Sequence, residues 1–325
     1  MNIFNVHSQI ITDYKSYIES FLLIKDQRIK EVVDKELEEG RLWPEPLIQF
    51  NPTFEKGTSV SKLVKDGIIA SELNHIFHGY DLYRHQVEAI KKGVQGKSFI
   101  VTSGTGSGKS LTFLATIFSD LLKATSSKGV KAILVYPMNA LINSQEEEIK
   151  KYADNYKENC GYDFPLSFAK YTGQEAGQER NSIRENPPDI ILTNYMMLEL
   201  MMTRASERGM RDSIFSTLKY LVFDELHTYR GRQGADVSLL NRRIQASTVN
   251  DIICIGTSAT MASGGTVKDQ KEAVANVGKQ IFDKTFTTDQ IIGEYLENTT
   301  VSSKVNFEEV KNSIVKPTDT NAGPE

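Results

Sequence analysis

Apolar residues recur at spacings of three and four along residues 8–39, which is the pattern of an amphipathic helix. Ile10 and Tyr14 belong to this pattern, which Gly40 ends. The following stretch WPEPLIQFNP (43–52) contains three prolines and must be extended or turning. The sequence therefore predicts a small helical N-terminal extension and a proline-rich strap that leads into the next domain.

From about residue 75 the chain changes to short apolar runs that alternate with segments of helical periodicity. Continuous rather than alternating apolar runs predict a parallel sheet with helices on both faces, an α/β fold. Functional side chains of such a sheet are expected at the carboxyl ends of its strands. The predicted strands are KSFIVTS (97–103), VKAILVYP (130–137), PLSFAKYTG (165–173), DIILTN (189–194), YLVFDE (220–225) and DIICIGTS (251–258).

Composition excludes several classes of protein. The chain has 325 residues, of which 39% are hydrophobic and 25% charged, as in ordinary globular proteins. A net charge of −4 excludes a globally basic nucleic-acid binder but permits a local basic groove. The apolar runs are too short to cross a bilayer, no secretion signal is present, and the two cysteines form no disulfide or metal pattern. We therefore expect a cytoplasmic protein without a membrane partner.

The stretch VTSGTGSGKS (101–110) joins a predicted strand to a predicted helix, the context of a phosphate-binding loop (P-loop). Its glycines let successive N–H groups turn towards a polyphosphate at the helix N-terminus. Ser103 stands where the usual pattern begins with glycine, and the alternative is a flexible loop with a surface lysine. The residues predicted to hold ATP are Ser103, Gly104, Thr105, Gly106, Ser107, Gly108, Lys109 and Ser110, with Ser110 also a ligand of Mg²⁺.

Two acids, Asp224 and Glu225, end an apolar strand, where a buried carboxylate needs a partner or a cation. Together with the P-loop, this predicts that Asp224 holds Mg²⁺ and that Glu225 activates the water that attacks the γ-phosphate. The alternative is that both acids cap the next helix or form surface salt bridges. The predicted cofactors are thus ATP and Mg²⁺.

A P-loop followed by DELH (224–227) and TSAT (257–260) resembles the superfamily 2 helicases, in particular their DExH-box branch. Further motifs occur in the family's order over about residues 75–285, which implies a complete first RecA-like domain. The resemblance implies that Gln86 reads the adenine edge. It also implies a catalytic role for Lys109, Asp224, Glu225 and His227. The residues implied to couple the γ-phosphate to the nucleic-acid site are Thr257, Ser258 and Thr260. The residues implied to contact nucleic acid are Asn139, Thr172, Gly173, Thr193 and Asn194.

Most of the residues assigned to nucleic acid are small polar groups at strand ends, which suit phosphate oxygens and carry no base information. Binding is then expected to be independent of base sequence and sensitive to salt. Ordinary loop capping by threonine and asparagine is an equally good interpretation of each one alone. The stretch 227–243 (HTYRGRQGADVSLLNRR) resembles large bacterial DExH helicases of DNA repair and phage defence. Its arginines fit a nucleic-acid contact and a solvated helix face equally well.

Three segments are predicted: an extension and strap (1–74), an ATP-binding RecA-like domain (75–285), and a connector or tail (286–325). The resemblance implies that hydrolysis needs a second RecA-like domain, in a longer chain or in a partner subunit. The expected function is an ATP-dependent helicase or translocase motor, on DNA more than RNA, with weak ATPase activity alone. The rivals are an ATP-gated clamp for nucleic acid or protein and, less favoured by the TSAT motif, a small-molecule kinase.

Overall fold

The computed structural model describes residues 3–38, 53–104, 106–124, 128–259 and 265–297. The chain divides into two compact units, residues 1–51 and residues 52–325. Within the described ranges, no helix has the length and apolar character that a membrane span requires.

The first unit contains two helices, Ile3–Phe21 (α1) and Gln27–Glu38 (α2), which confirms the predicted helical extension. The periodic pattern is interrupted between them at Asp26. The Asp26 carboxylate accepts hydrogen bonds from the backbone N–H groups of Arg28 (2.9 Å) and Ile29 (3.4 Å), so it starts a new helix. Gly40 and the proline-rich strap (43–52) lie outside the described residues.

The second unit is built on a seven-stranded parallel sheet in the order β5-β6-β4-β7-β8-β3-β9. A separate antiparallel pair, Lys56–Ser59 (β1) and Asp81–Tyr83 (β2), precedes it. The strands of the large sheet are Phe99–Thr102 (β3), Ala132–Tyr136 (β4), Phe168–Lys170 (β5), Ile190–Asn194 (β6), Tyr220–Phe223 (β7), Ile253–Ser258 (β8) and Ile291–Gly293 (β9).

Helices cover both faces of the sheet, as expected for strands that are apolar on both sides. One core joins the first group of helices to alternate strand residues such as Leu134, and the other core joins the second group to residues such as Ile133. The first group is Val60–Lys65 (α3), Leu73–Ile76 (α4), Arg84–Val94 (α5), Lys109–Lys123 (α6) and Asn139–Cys160 (α7). The second group is Gly177–Glu185 (α8), Tyr195–Thr203 (α9), Arg208–Thr217 (α10), Gly231–Ser247 (α11) and Val267–Phe282 (α12).

All six predicted strands are present, and the parallel α/β fold is confirmed. The predicted domain boundaries differ from the structure. Residues before 75 belong to the second unit, because Leu63 and Leu73 are fully buried in its first core. Residues after 285 also belong to it, because β9 pairs with β3 at the edge of the sheet. The sequence instead predicts a connector over the residues of β9.

The strand order places the carboxyl ends of β7, β8 and β3 side by side. These are the strands that end in the two acids, in the TSAT motif and in the P-loop. The candidate site therefore arises from the topology of the sheet.

Candidate functional site

The P-loop lies between β3 and α6 and is shaped largely by its glycines. Gly106 and Gly108 have left-handed backbones, with φ values of 79° and 70°. A Cβ atom on Gly108 would also lie 2.4 Å from Nε2 of Gln86, so only glycine fits there. The Lys109 ammonium donates to the carbonyl oxygens of Ser103 (2.9 Å) and Gly104 (3.2 Å) and closes the loop on itself.

Ser103, the departure from the usual loop pattern, is accommodated without strain. Ser103 does not have a positive φ, so its backbone conformation does not require glycine. Its hydroxyl shares a 2.6 Å hydrogen bond with the hydroxyl of Ser107, and both residues are buried. Ser110 is half-buried at the start of α6, beside Lys109, whereas Thr105 lies outside the described residues.

Gln86 contacts the P-loop through its side-chain amide. Its Nε2 donates to the carbonyl oxygens of Ser107 (3.2 Å) and Gly108 (3.1 Å), and its Oε1 accepts from the N–H of Tyr83 (2.9 Å). His85, which the sequence interpretation passed over, lies 3.0 Å from the same Ser107 oxygen through Nε2. The structure thus brings Gln86 to the nucleotide loop, and its contact with adenine stays a prediction.

The two acids follow β7 and are linked to β8 by one hydroxyl group. The Thr257 hydroxyl donates to Oδ1 of Asp224 and accepts from the backbone N–H of Glu225 (3.0 Å). Glu225 has a left-handed backbone with φ 53°, which is uncommon for a residue with a long side chain. Burial raises the pKa of Asp224; the Thr257 hydrogen bond opposes that shift, and the charge of Glu225 adds to it.

These acids fit a Mg²⁺ ion better than a metal held by protein alone. The described residues contain no group of three His, Cys, Asp or Glu side chains able to hold a metal. Mg²⁺ typically takes one or two carboxylates and completes its shell with water and phosphate oxygens. Asp224 is a half-buried acid whose pKa is raised by burial, so a cation at this position would compensate its charge.

His227 lies between Glu225 and the TSAT segment. Its Nδ1 is 3.2 Å from Oε2 of Glu225 and 3.3 Å from the hydroxyl oxygen of Ser258. The predicted coupling residues Thr257 and Ser258 therefore both contact the acidic motif. Thr260 lies outside the described residues.

Two of the residues assigned to nucleic acid bind each other. The Asn194 side chain donates to Oδ1 of Asn139 (2.9 Å) and accepts from the N–H of Met197 (2.8 Å), which caps α9. Both asparagines are partly exposed at neighbouring strand ends, so they present a rigid polar edge.

Thr193 does not fit the predicted role. It is fully buried, and its hydroxyl donates to the carbonyl oxygen of Tyr171 (2.6 Å). The side chain of Thr193 is buried because helices cover both faces of the sheet, and Asn194 at the end of β6 is only partly buried. The Thr193 hydroxyl therefore links β6 by a hydrogen bond to the residue that follows β5, and it does not reach the surface.

The Thr172–Gly173 turn already binds a carboxylate. Glu175 accepts from the N–H (2.8 Å) and hydroxyl (2.6 Å) of Thr172 and from the N–H of Gly173 (2.8 Å). Burial alone would raise the pKa of Glu175, but these hydrogen bonds outweigh it and hold the pKa below its usual value. The groups expected to bind a phosphate thus bind an internal anion.

The arginines of the 227–243 stretch divide into two pairs. Arg242 forms an ion pair with Asp283 (3.3 Å) and Arg243 with Glu199, as on a solvated helix face. Arg230 lines a cavity of about 970 Å³ between α11 and α12, and Arg242, His227 and Ser258 are among the other lining residues. Arg232 is exposed at the start of α11.

Glu294 is a site residue that the sequence interpretation missed. It follows β9, and its Oε2 accepts a 2.7 Å hydrogen bond from the N–H of Gly104 in the P-loop. The only sequence signal was the short apolar run before it, in a segment that we had interpreted as a connector.

Comparison with known proteins agrees with this geometry. The sequence profile of the DEAD/DEAH box helicases matches residues 83–268. The chain is 26% identical to Druantia protein DruE of Escherichia coli, over 67% of this chain and 18% of that protein. It is 30% identical to the uncharacterized ATP-dependent helicase YprA of Bacillus subtilis, over 58% of this chain and 24% of that protein. The chain thus spans less than a third of the length of these relatives.

Solved structures show the same fold. The DNA-bound crystal structure of helicase MrfA matches 80% of this chain and 34% of its own, with a TM-score of 0.58 and 22% identity. The structure of Mycobacterium smegmatis helicase Lhr bound to single-stranded DNA and AMP-PNP matches 76% of this chain and 32% of its own, with a TM-score of 0.60 and 19% identity.

Proposed function

This chain belongs to the DEAD/DEAH box helicase family, and from that membership we propose that it is the ATP-binding motor part of a DNA helicase or translocase. The observation that carries the proposal is the Thr257 hydroxyl, which binds both Asp224 and the N–H of Glu225. Thr257 of the TSAT motif is therefore hydrogen-bonded to both acids of the DELH motif.

Each group in this site has a defined task in ATP hydrolysis. The N–H groups of the P-loop and the Lys109 ammonium bind the phosphates, and Ser110 and Asp224 are the residues that would hold Mg²⁺. Bound Mg²⁺ supplies charge neutralisation on the phosphate oxygens. Glu225 orients the attacking water and accepts its proton, and His227 lies between the Glu225 carboxylate and the Ser258 hydroxyl.

The proposed nucleic-acid face is the edge that holds the paired Asn139 and Asn194 and the Thr172–Gly173 turn. The side-chain amides of Asn139 and Asn194 suit phosphate oxygens and do not distinguish bases, whereas a phosphate at the Thr172–Gly173 turn would have to displace Glu175. DNA is proposed over RNA on the basis that the similar MrfA and Lhr structures are described as bound to DNA, while the similar structure of the DEAD-box helicase Mss116 is described as bound to single-stranded RNA. A second RecA-like domain, in the same longer chain or in a partner, is proposed to complete the transition-state site.

The test measures ATP hydrolysis by this chain without nucleic acid and with single-stranded DNA, double-stranded DNA or single-stranded RNA. We expect weak Mg²⁺-dependent hydrolysis, which DNA stimulates more than RNA does. Lys109→Ala and Glu225→Gln should each reduce the rate by ~100-fold or more, because each removes a group that acts on the reacting phosphate or on the water.

The outcomes separate the rival functions. Unchanged hydrolysis in Lys109→Ala would refute the site assignment. ATP binding without hydrolysis, accompanied by ATP-dependent DNA binding, would favour the clamp. Strong unwinding by this chain alone would contradict the proposed need for a second domain.

A further inference from the structure

The P-loop has an internal anion at its first glycine. The N–H of Gly104 donates a 2.7 Å hydrogen bond to the Glu294 carboxylate. Loops of this kind bind polyphosphates through their N–H groups, and a carboxylate is likewise an anion with oxygen acceptors. Glu294 therefore uses a donor of the loop that the nucleotide is proposed to occupy.

Sheet register brings Glu294 to this position. In the pairing of β9 with β3, Gly293 lies opposite Thr102. The residues that follow, Glu294 and Ser103, therefore both lie at the P-loop. The side chain of Glu294 is half-buried there. Its placement is a consequence of the fold, because β9 is the edge strand nearest to the loop.

The segment that carries Glu294 is fastened on its other side. The Tyr295 carbonyl accepts from the N–H of Glu55 (2.8 Å), and the Tyr295 hydroxyl donates to Glu88 (2.8 Å). The guanidinium of Arg84 lies 4.0 Å from the centre of the Tyr295 ring. These contacts hold the backbone, so the Glu294 side chain is the part that is free to rotate away.

The nearest loop cation does not bind this carboxylate directly. The Lys109 ammonium donates to the carbonyl oxygens of Ser103 and Gly104, on the other side of the same peptide segment. Phosphates that enter the loop would attract Lys109 and repel Glu294, since like charges in a partly buried site interact strongly.

We propose that Glu294 is an affinity-determining residue of the nucleotide site, an internal carboxylate that the phosphates of a bound nucleotide must displace from the P-loop. The proposal rests on the proposed function of the loop and extends it. It explains why an acid stands at the rim of a site for a polyanion, where neutral or basic residues would bind better.

The test compares Glu294→Gln with wild type in titrations of a fluorescent (mant) ADP and of a fluorescent non-hydrolysable ATP analogue. Glutamine retains the size and an oxygen acceptor but removes the charge. The Kd of the Glu294→Gln variant for both nucleotides should be ~3- to 10-fold lower than that of wild type, the order expected for the loss of one like-charged neighbour. Glu297→Gln is the matched control, because Glu297 is an exposed acid three residues away in the same segment.

Adenosine, which lacks phosphates, identifies the part of the ligand that Glu294 opposes. Adenosine should compete with the fluorescent nucleotide equally well in wild type and in Glu294→Gln, relative to its own affinity for the site. Nucleotide affinity that is unchanged or weaker in Glu294→Gln, or an equal gain in Glu297→Gln, would overturn the proposal. Failure of the proposed function has a different signature: wild type would bind nucleotide no better than Lys109→Ala.

Discussion

At the scale of single residues, the clearest conflict between stability and function is at Asp224. Its carboxylate is half-buried beside that of Glu225, and it accepts a hydrogen bond from the neutral Thr257 hydroxyl. A carboxylate in this setting is unfavourable until a cation arrives. Sites that bind ions commonly retain such residues although they reduce the stability of the free protein.

Asp224→Asn should therefore stabilise the protein in the absence of Mg²⁺ and nucleotide while it abolishes ATP hydrolysis. Asparagine keeps the oxygen that accepts from Thr257 and removes the buried charge. We expect a gain of about 1 kcal/mol in the free energy of unfolding. Chemical denaturation at neutral pH measures it, and the exposed Asp236→Asn serves as the control. A loss of stability in Asp224→Asn would contradict this account.

The sequence predicts a chemistry for these residues, which stays a prediction, but it did not reveal all of their partners. Asp224, Glu225 and Lys109 could be assigned because each type follows a strand at a spacing that phosphate chemistry requires. The predicted role of Thr193 does not fit its burial, because the sequence does not show which residue of β6 is the first to emerge from the helices that cover the sheet. Glu294 was missed because its partner, Gly104, is distant in the sequence and is brought near only by strand order.

At the scale of helices and strands, a buried ion pair ties α8 to the start of α10. The fully buried Glu207 binds Arg184 of α8 and accepts from the Tyr171 hydroxyl (2.8 Å), which follows β5. Burial by itself would raise the pKa of Glu207, but the hydrogen bonds from Arg184 and Tyr171 outweigh it and lower the pKa. This network supports the edge of the sheet next to the Thr172–Gly173 turn.

A carboxyl group whose pKa is lowered on folding adds stability above its unfolded pKa and loses that contribution as the pH falls. The free energy of unfolding should accordingly decline between about pH 5 and pH 3, and less steeply in Glu207→Gln than in wild type. Glu207→Ala, which leaves Arg184 unpaired, should lose about 3 kcal/mol at neutral pH.

Urea denaturation at several pH values measures both effects. Glu185→Gln removes an exposed acid from the same helix α8 and should follow the wild-type profile. Equal pH dependence in wild type and Glu207→Gln would assign the acid sensitivity to other groups.

Helices and strands were predicted correctly where their buried residues form a long apolar pattern in the sequence. Strands such as Ile190–Asn194 were found because residues on both faces are apolar, which follows from helices on both sides. Strand β9 has three residues and follows a polar stretch, so its pattern was too short to identify. The short helix α3 was likewise assigned to the extension, because nothing local shows that Leu63 is buried against distant residues.

At the scale of the whole molecule, both hydrophobic cores belong to the second unit. Their residues run from Val60 onwards, and no residue of the described range 3–38 belongs to either core. The second unit therefore has the apolar burial that it needs to fold by itself.

Removal of residues 1–51 should lower the Tm of the rest by less than about 2 °C, because no described residue of that range belongs to either hydrophobic core. A chain that begins at residue 75, the boundary predicted from sequence, should instead fail to fold cooperatively. That truncation removes Leu63, Ile69 and Leu73, which are buried in the first core.

Differential scanning calorimetry of the two truncated chains compares these boundaries directly. Cooperative unfolding of the chain that begins at residue 75, with the Tm of the full chain, would show that the earlier residues are dispensable. A large loss of Tm on removal of residues 1–51 would show that the second unit depends on the first.

The left-handed backbone of Glu225 (φ 53°) has a consequence for how this position evolves. Glycine and asparagine adopt that conformation more readily, by about 1 kcal/mol. In a library randomised at position 225, selection for thermal stability alone should enrich glycine and asparagine. Selection for growth that depends on ATP turnover should return glutamate. The ancestry of position 225 would then record which pressure has acted on the chain.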